Sequence, residues 1–101
     1  MGTEANITKD SIVAASHNQL STTLGGEVVI MNAKTGTYNS MEAVAARIWK
    51  LLQTPMRVRE IQRALLNEYD VEPDLCRDDL LSFLQALERQ GLIEVVNEST
   101  R

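Results

Sequence analysis

The spacing of apolar residues is most regular between residues 73 and 91, where it predicts a long amphipathic helix. Apolar side chains recur there at about 3.6-residue intervals, at Cys76, Leu80, Phe83, Leu84 and Leu87. Pro73 is suited to a first helical turn, because its missing N–H has no helical partner in any case. Gly91 followed by Leu92 is typical of a Schellman cap. We therefore expect the helix to end at Gly91.

Leu81 lies outside that apolar stripe, roughly 120° from its centre on a helical wheel. The residues that share its flank are Asp74, Arg77, Leu84 and Glu88. Single exposed leucines are ordinary, so the flank is interpreted either as a wide core face or as a half-apolar, half-charged wall of a groove.

Two shorter helices are predicted upstream. Ser40 is a suitable N-cap for the first helix, and Pro55 ends it. Its expected buried face consists of Met41, Val44, Ala45, Ile48, Leu51 and Leu52, with Trp49 beside them. The second helix runs from Arg57 to Tyr69, and a linker of residues 70–73 joins it to the long helix. Two helices so joined form a helix-turn-helix unit.

The first third of the chain alternates as strands do. Candidate strands are residues 12–16, 19–24 and 27–32, and Gly25-Gly26 between the last two predicts a hairpin. Glu27–Asn32 is apolar on both faces, which is typical of a strand that is covered twice or that presents an open edge. Residues 33–39 are predicted as a turn, with Tyr38 anchoring the returning chain.

This order of elements predicts one α+β domain over residues 11–96. We expect a winged helix-turn-helix-like architecture, in which an N-terminal three-stranded antiparallel sheet is followed by three helices and a short extended piece at residues 92–96. Residues 1–10 are polar and expected to be a flexible N-terminus, and residues 97–101 form a polar tail.

Charge argues against nucleic acid as the partner. The 101 residues carry a formal net charge of −4. The long helix would be the recognition helix of a DNA-binding regulator, but between residues 72 and 90 its acids outnumber its bases. The acids are Glu72, Asp74, Asp78, Asp79 and Glu88, and the bases are Arg77 and Arg89. Phosphates would repel such a helix, so a winged-helix DNA-binding regulator is the weaker alternative.

The single cysteine and the hydropathy of the chain indicate in which cellular compartment the protein resides. Cys76 is the only cysteine, so no internal disulfide can form, and an unpaired thiol suits a reducing cytoplasm. The first dozen residues lack the pattern of a signal peptide, and no apolar stretch is long enough to span a bilayer. We therefore expect a cytoplasmic protein that has no contact with a membrane.

Residues able to support catalysis are sparse. His17 is the only histidine and has no neighbouring ligand for a metal set. A Cys76–His17 nucleophilic pair is disfavoured, because Cys76 belongs to the core stripe. Asp78 and Asp79 point about 100° apart on a helix and cannot share a substrate proton. The sequence predicts no catalytic residue, no metal and no cofactor, and hence a binding module rather than an enzyme.

A spaced set of segments resembles the PQQ-synthesis protein D family. The matching features are the Tyr38-Asn39 turn, Ile48-Trp49, the second-helix positions Val58, Ile61, Leu65 and Tyr69, and the set Phe83-Leu84, Leu87 and Gly91-Leu92-Ile93. The resemblance covers roughly residues 20–96. Arg57 departs from it, since such proteins often carry Thr or Ser to start the second helix; a weaker cap is the expected result.

The resemblance implies a function in the maturation of ribosomally made, post-translationally modified peptides. Members of the family bind the leader part of a precursor peptide and present it to modifying enzymes. Two assignments follow for a free-standing domain. One is a leader-binding protein of a lasso-peptide cluster, whose partner is a separate transglutaminase-like cysteine protease. The other is the peptide chaperone of a radical SAM enzyme in PQQ biosynthesis. The long β-forming N-terminus favours the lasso assignment.

The resemblance also implies a binding mode, in which the leader adds as a strand beside the third strand and lies against the third helix. The peptide-binding residues expected on this basis are Glu27, Val28, Val29, Ile30, Met31 and Asn32 in the strand and Asp74, Arg77, Leu81, Leu84 and Glu88 in the helix. Leu81 and Leu84 would supply apolar contact, and Arg77 would pair with an acidic leader residue.

Two questions stay open from the sequence. Val28 and Ile30 point to one face of the strand and Val29 and Met31 to the other, and either pair could line the groove. A plain core strand at residues 28–31 is the alternative. An uncovered edge of this strand would also permit a homodimer by strand pairing.

Overall fold

The strands and helices follow the predicted α+β order, with one additional strand before the first helix and another after it. The computed structural model describes residues 7–17 and 19–96; the predicted polar tail and residues 1–6 of the predicted flexible N-terminus lie outside the described residues. The elements are β1 (Ile12–Ala15), β2 (Gln19–Leu24), β3 (Glu27–Asn32), β4 (Tyr38–Met41), α1 (Ala43–Leu51), β5 (Met56–Arg57), α2 (Val58–Glu68), α3 (Pro73–Arg89) and β6 (Ile93–Val96).

The strands form two antiparallel sheets, in the orders β5-β1-β6 and β2-β3-β4. The α+β class is confirmed, but the expected single N-terminal sheet is divided, because β1 pairs with β6 rather than with β2. The register runs from Ile12 opposite Val96 to Ala15 opposite Ile93. These partners come from opposite ends of the described chain, so no local pattern could reveal the pairing.

The β2–β3 hairpin was predicted from its two glycines and is confirmed. Leu24 and Glu27 form the closing pair, and Gly25 and Gly26 have φ of 55° and 86°. Two successive positive φ values define a turn whose twist matches that of the flanking strands, and glycine adopts them without steric cost.

The segment from Tyr38 to Met41 was predicted as the end of a turn and the start of a helix, and this prediction is wrong. These residues form β4, in which Met41 pairs with Val28. Ser40 therefore lies in a strand and does not cap α1. The N-cap position belongs to Glu42, whose side chain makes no capping hydrogen bond. The chain turns from strand to helix at Ala43, which has a φ of 56°.

The end of α3 has the cap that the sequence predicted. The Leu92 N–H donates to the Leu87 carbonyl and the Gly91 N–H to the Glu88 carbonyl, each at 3.0 Å. Gly91 has a φ of 78°. This pair of bonds is the Schellman motif.

The same helix end is bonded to both sheets. The Ser16 hydroxyl, just after β1, donates to the Gly91 carbonyl at 2.8 Å. The Asn32 side-chain amide, at the end of β3, donates to the Gln90 carbonyl at 2.7 Å. The last turn of α3 therefore sets the position of the two sheets relative to the helices.

A single core joins the helices and the inner faces of the sheets. Its largest fully buried side chains are Ile30, Leu52, Ile61, Leu84, Leu92, Val13, Val28 and Val58. Burying a large aliphatic side chain contributes about 1.5–3 kcal/mol to folding, so this set accounts for much of the stability of the domain. Among the aromatic residues of the described part of the chain, Trp49 is buried in the core, and the partly buried Tyr69 and Phe83 pack against it.

Candidate functional site

A groove of about 330 Å³ opens between the start of α1, the end of α2 and the first half of α3. It is lined by Val44, Ala45, Ile48, Leu65, Tyr69, Val71, Leu75, Cys76, Asp79, Leu80 and Phe83. Asp79 is the only charged residue in this lining. The apolar side chains of Val71 and Leu75 are exposed to solvent, which is energetically unfavourable for them. A concave, mostly apolar surface with one polar group is typical of a ligand site.

The groove lies on the flank of α3 opposite to the predicted one. Leu75 and Asp79 fall on one side of the buried stripe of α3, and Leu81 falls on the other. Leu81 is half-buried and packs against the core. Leu84 has no exposed surface, so the expectation that it contacts a ligand is wrong. A helical wheel gives the width of an apolar face but not which flank the neighbouring helices leave open.

The charged residues of the predicted flank are exposed or half-buried, and some of them pair with each other. Arg77 lies 3.7 Å from an Asp74 carboxylate oxygen and 3.4 Å from one of Asp78. Exposed pairs of this kind contribute little to stability. Asp74, Arg77, Leu81 and Glu88 stay predictions as peptide contacts.

The expectation of an open edge at Glu27–Asn32 is wrong. This strand is β3, the middle strand of its sheet, and it pairs along its length with β2 and over Val28–Met31 with β4. The question of its two faces is settled: Val28, Ile30 and Asn32 are buried against the core. Glu27, Val29 and Met31 lie on the outer face and are half-buried. The edge is closed because residues 38–41 return as a strand.

The open edges of this sheet are β4 on one side and β2 on the other, as far as residues 7–17 and 19–96 show. The Asn32 N–H donates to the Thr37 carbonyl at 2.9 Å, which makes these two residues a hydrogen-bonded pair. Bonded and non-bonded pairs alternate along antiparallel strands. Asn39 and Met41 therefore bond to β3, whereas the N–H and C=O groups of Tyr38 and Ser40 point outward.

The chain connects the open edge of β4 to the groove through α1. At one end, Asn32 ties the β3–β4 hairpin to Gln90 of α3. At the other end, β4 stops two residues before α1, whose Val44 lines the groove opposite Leu75 and Phe83 of α3. We call the region between the outer edge of β4 and this face of α3 the β4–α3 cleft; its groove-lining residues belong to α1, α2, α3 and the segment between α2 and α3.

Asn32 also fixes the turn that precedes β4. Its side-chain carbonyl accepts hydrogen bonds from the backbone N–H groups of Lys34 at 2.9 Å and Thr35 at 3.3 Å. All of these bonds come from one buried side chain. Asn32 therefore sets the position of β4 relative to α3, a role that sequence reasoning missed because it depends on contacts with residues far along the chain.

An ion pair fastens the two helices that form the rear of the groove. Arg47 of α1 makes a bidentate contact with the Glu68 carboxylate of α2, with Nε–Oε1 at 2.9 Å and Nη2–Oε2 at 2.8 Å. Hydrogen bonds from Arg47 lower the pKa of Glu68, and the same bonds raise the pKa of Arg47. The two residues lie far apart in sequence, so no local signal predicts the pair.

Cys76 lines the groove from a buried position. Burial raises the pKa of its thiol, and the nearby Asp79 carboxylate adds to the effect. A thiol with a raised pKa is a weak nucleophile at neutral pH. The groove therefore has an apolar lining at Cys76 rather than a reactive thiolate.

Residues 7–17 and 19–96 contain neither a metal-binding cluster nor a membrane-spanning helix. No group of three or more His, Cys, Asp or Glu side chains is placed to hold a metal ion there. None of the helices in this part of the chain has the length and apolarity needed to cross a membrane.

Comparison with known proteins identifies the family. The family model described as coenzyme PQQ synthesis protein D (PqqD) matches residues 27–93. The solved structure of TbiB1 in complex with the TbiA(beta) leader peptide is similar, with a TM-score of 0.77 and 36% sequence identity. That match covers 84% of this chain and 99% of TbiB1. No curated protein sequence matches significantly. The chain belongs to the PqqD family.

Proposed function

We propose that this protein is a recognition element that binds the leader peptide of a ribosomally made precursor and presents it to an enzyme, without catalysis of its own. The observation that carries the proposal is the open edge of β4, from which the chain leads into α1 and to the apolar groove that Val44 lines. The similarity to TbiB1, whose structure contains the TbiA(beta) leader peptide, supports it.

The leader binds as an added strand along β4. The outward N–H and C=O groups of Tyr38 and Ser40 supply backbone hydrogen bonds, which provide affinity without selecting a sequence. Alternate side chains of an extended peptide point to the same face. Those that point toward α3 enter the groove and contact Leu75 and Phe83, which supplies the selectivity.

The Asp79 carboxylate limits which leader side chains the groove can accept. Asp79 is the only charged residue of the groove lining, and no ion pair to it occurs in the described part of the chain. A leader side chain that is apolar, or that carries a hydrogen-bond donor at its tip, is compatible with this site. An acidic side chain there would be repelled and desolvated.

The pathway that we propose is lasso-peptide maturation in the cytoplasm, with a separate transglutaminase-like cysteine protease as the enzyme that receives the bound leader. The resemblance of residues 20–96 to the PQQ-synthesis protein D family and the long β-forming N-terminal segment support this assignment. In the structure that N-terminus supplies β1 and β2 to two different sheets, so it is part of the fold.

The binding step is tested by fluorescence anisotropy with a labelled leader from the precursor encoded beside this chain's gene. Leu75→Asp places a carboxylate in the groove, and Leu24→Asp makes the same change on β2, outside it. The two leucines are similarly exposed, at 56% and 62%, so neither substitution should unfold the domain. We expect Leu75→Asp to weaken binding by roughly 10- to 100-fold, because a buried leucine contributes about 1.5–3 kcal/mol.

An equal loss in both variants, or no binding by the wild-type protein, would contradict the proposed site. The pathway is tested separately by adding the cluster's protease to the full-length precursor. We expect this protein to accelerate leader removal and Leu75→Asp to cancel the acceleration. Stimulation of a radical SAM enzyme instead would move the assignment to PQQ biosynthesis.

A further inference from the structure

The second open edge of the β2-β3-β4 sheet has an unusual composition. Strand β2 contains neither a charged residue nor a proline. Natural edge strands are commonly protected from pairing by lysine, proline or a bulge. Leu20 and Leu24 are instead 64% and 62% exposed on this strand. Both leucines lie on the outer face, four residues apart, with Thr22 between them.

The backbone polarity of this edge follows from the pairing of β3. Its even-numbered residues bond to β4, so Glu27, Val29 and Met31 bond to β2. Their partners on β2 are Leu24, Thr22 and Leu20. The N–H and C=O groups of Ser21 and Thr23 therefore point outward from the sheet.

We propose that two copies of this protein pair in solution through antiparallel β2 strands related by a twofold axis at Thr22. In this register the backbone N–H and C=O groups of Ser21 bond to those of Thr23 in the second copy. By symmetry, Thr23 bonds to Ser21 of the second copy. Leu20 of one copy lies opposite Leu24 of the second copy on the outer face. The pattern Leu-x-Thr-x-Leu reads the same in both directions, so one register satisfies the outward backbone groups and covers both exposed leucines.

Charge and area limit the strength of pairing between two copies. Two chains of net charge −4 repel each other, and β2 brings no charge to the contact. Stable interfaces bury about 800 Å² per partner, which a six-residue strand edge does not reach, so we expect association in the range of roughly 10 μM to 1 mM.

Pairing of this kind leaves the peptide site open. The strand order across the dimer would be β4-β3-β2 followed by β2-β3-β4 of the second copy. The two β4 edges then lie at the far ends of one continuous sheet. Each copy keeps its own β4–α3 cleft, so the inference does not depend on the proposed function.

The register is tested by disulfide trapping in a Cys76→Ala background. In a non-hydrogen-bonded antiparallel pair the Cα atoms are about 4.5 Å apart, within the range that a disulfide spans. We therefore expect Thr22→Cys to form a disulfide-linked dimer on mild oxidation. Ser21→Cys is the matched control, because two Ser21 Cα atoms would lie about 8 Å apart in this register.

Self-association of the wild-type protein is measured by sedimentation equilibrium across a concentration series up to about 1 mM. Thr23→Pro removes an outward N–H without touching the β2–β3 bonds, and we expect it to weaken association at least tenfold. Far-UV circular dichroism and thermal melting check that the variant is folded. A wild-type protein that stays monomeric, or equal trapping of Thr22→Cys and Ser21→Cys, overturns the proposal. So does a Thr23→Pro variant that loses leader affinity while association is unchanged.

Discussion

β2 and β4 are the two edges of one sheet, and they differ in their surroundings. Both strands present outward backbone groups on alternate residues. β4 leads into α1, whose Val44 lines the groove, whereas five of the six residues of β2 are exposed. An unpaired edge therefore supplies hydrogen bonds to any extended chain, and the neighbouring side chains decide which chain binds. Our two proposals use this difference: a foreign peptide pairs with β4, and a second copy of the chain pairs with β2.

The largest expected effect comes from removing one outward donor on each edge. Ser40→Pro on β4 should weaken leader binding by about 2–3 kcal/mol, or roughly 30- to 150-fold, because a backbone bond is lost and a peptide carbonyl is left unpaired. Thr23→Pro on β2 should leave leader affinity unchanged within about twofold. Fluorescence anisotropy at low protein concentration measures both. Equal losses would erase the distinction between the two edges.

The second prediction concerns the tie between β4 and α3. Asn32→Ala leaves the Lys34 and Thr35 N–H groups and the Gln90 carbonyl without their partner, so we expect a loss of about 2 kcal/mol in the free energy of unfolding. Urea denaturation measures it. Leader affinity should fall as well, since the two walls of the β4–α3 cleft are no longer held together.

Asn32→Asp separates the two roles of this side chain. A carboxylate still accepts from the turn N–H groups but cannot donate to the Gln90 carbonyl. We expect Asn32→Asp to keep the turn and to lose leader affinity. A variant that binds leader with wild-type affinity would show that the Gln90 bond does not position the cleft.

The third prediction compares the turns that end the two edge strands. β2 ends in Gly25-Gly26, where glycine tolerates positive φ, but β4 is followed by Ala43 with a φ of 56°. A left-handed conformation costs a residue with a Cβ about 1–2 kcal/mol, so Ala43→Gly should stabilise the fold by up to about 1 kcal/mol after the entropy of the unfolded glycine is subtracted. The matched change Gly26→Ala should destabilise it. Thermal melting distinguishes the two signs.

The smallest expected effect is the pH dependence of stability that comes from the Arg47–Glu68 ion pair behind the groove. Because the pKa of Glu68 is lowered in the folded protein, its contribution to stability is present above its ordinary value of 4.5 and is lost as pH falls through the lower folded pKa. The stability difference between the wild type and Glu68→Gln should therefore shrink in acid. Urea denaturation at a series of pH values measures this. A difference that does not change with pH would show that the pair is held by packing alone.

The features that the sequence predicted well depend on neighbouring residues. Pro73, Gly91 and Leu92 determine where α3 begins and ends, and the Gly25-Gly26 hairpin follows from two residues. Local conformational preference settles such features before tertiary contacts matter. The family assignment, which the comparisons show, likewise came from spaced local segments.

The features that sequence reasoning missed depend on distant partners. Tyr38-Asn39-Ser40-Met41 has the composition of a turn, and it becomes a strand because β3 offers an edge for pairing. Leu81 was expected at a groove wall, but helix packing opened the opposite flank at Leu75 and Asp79. The groove therefore lies on the helix that was predicted but on its other flank, and the peptide contact expected at Leu81 stays a prediction.

The last turn of α3 has a mechanical consequence. Ser16 donates a hydrogen bond to the Gly91 carbonyl, and Asn32 donates one to the Gln90 carbonyl. Both sheets are therefore bonded to consecutive peptide groups of the chain. A rotation of that short segment would therefore tilt both sheets at once. Under the binding mode proposed above, a force applied to a leader at β4 would therefore reach β1 through the end of α3.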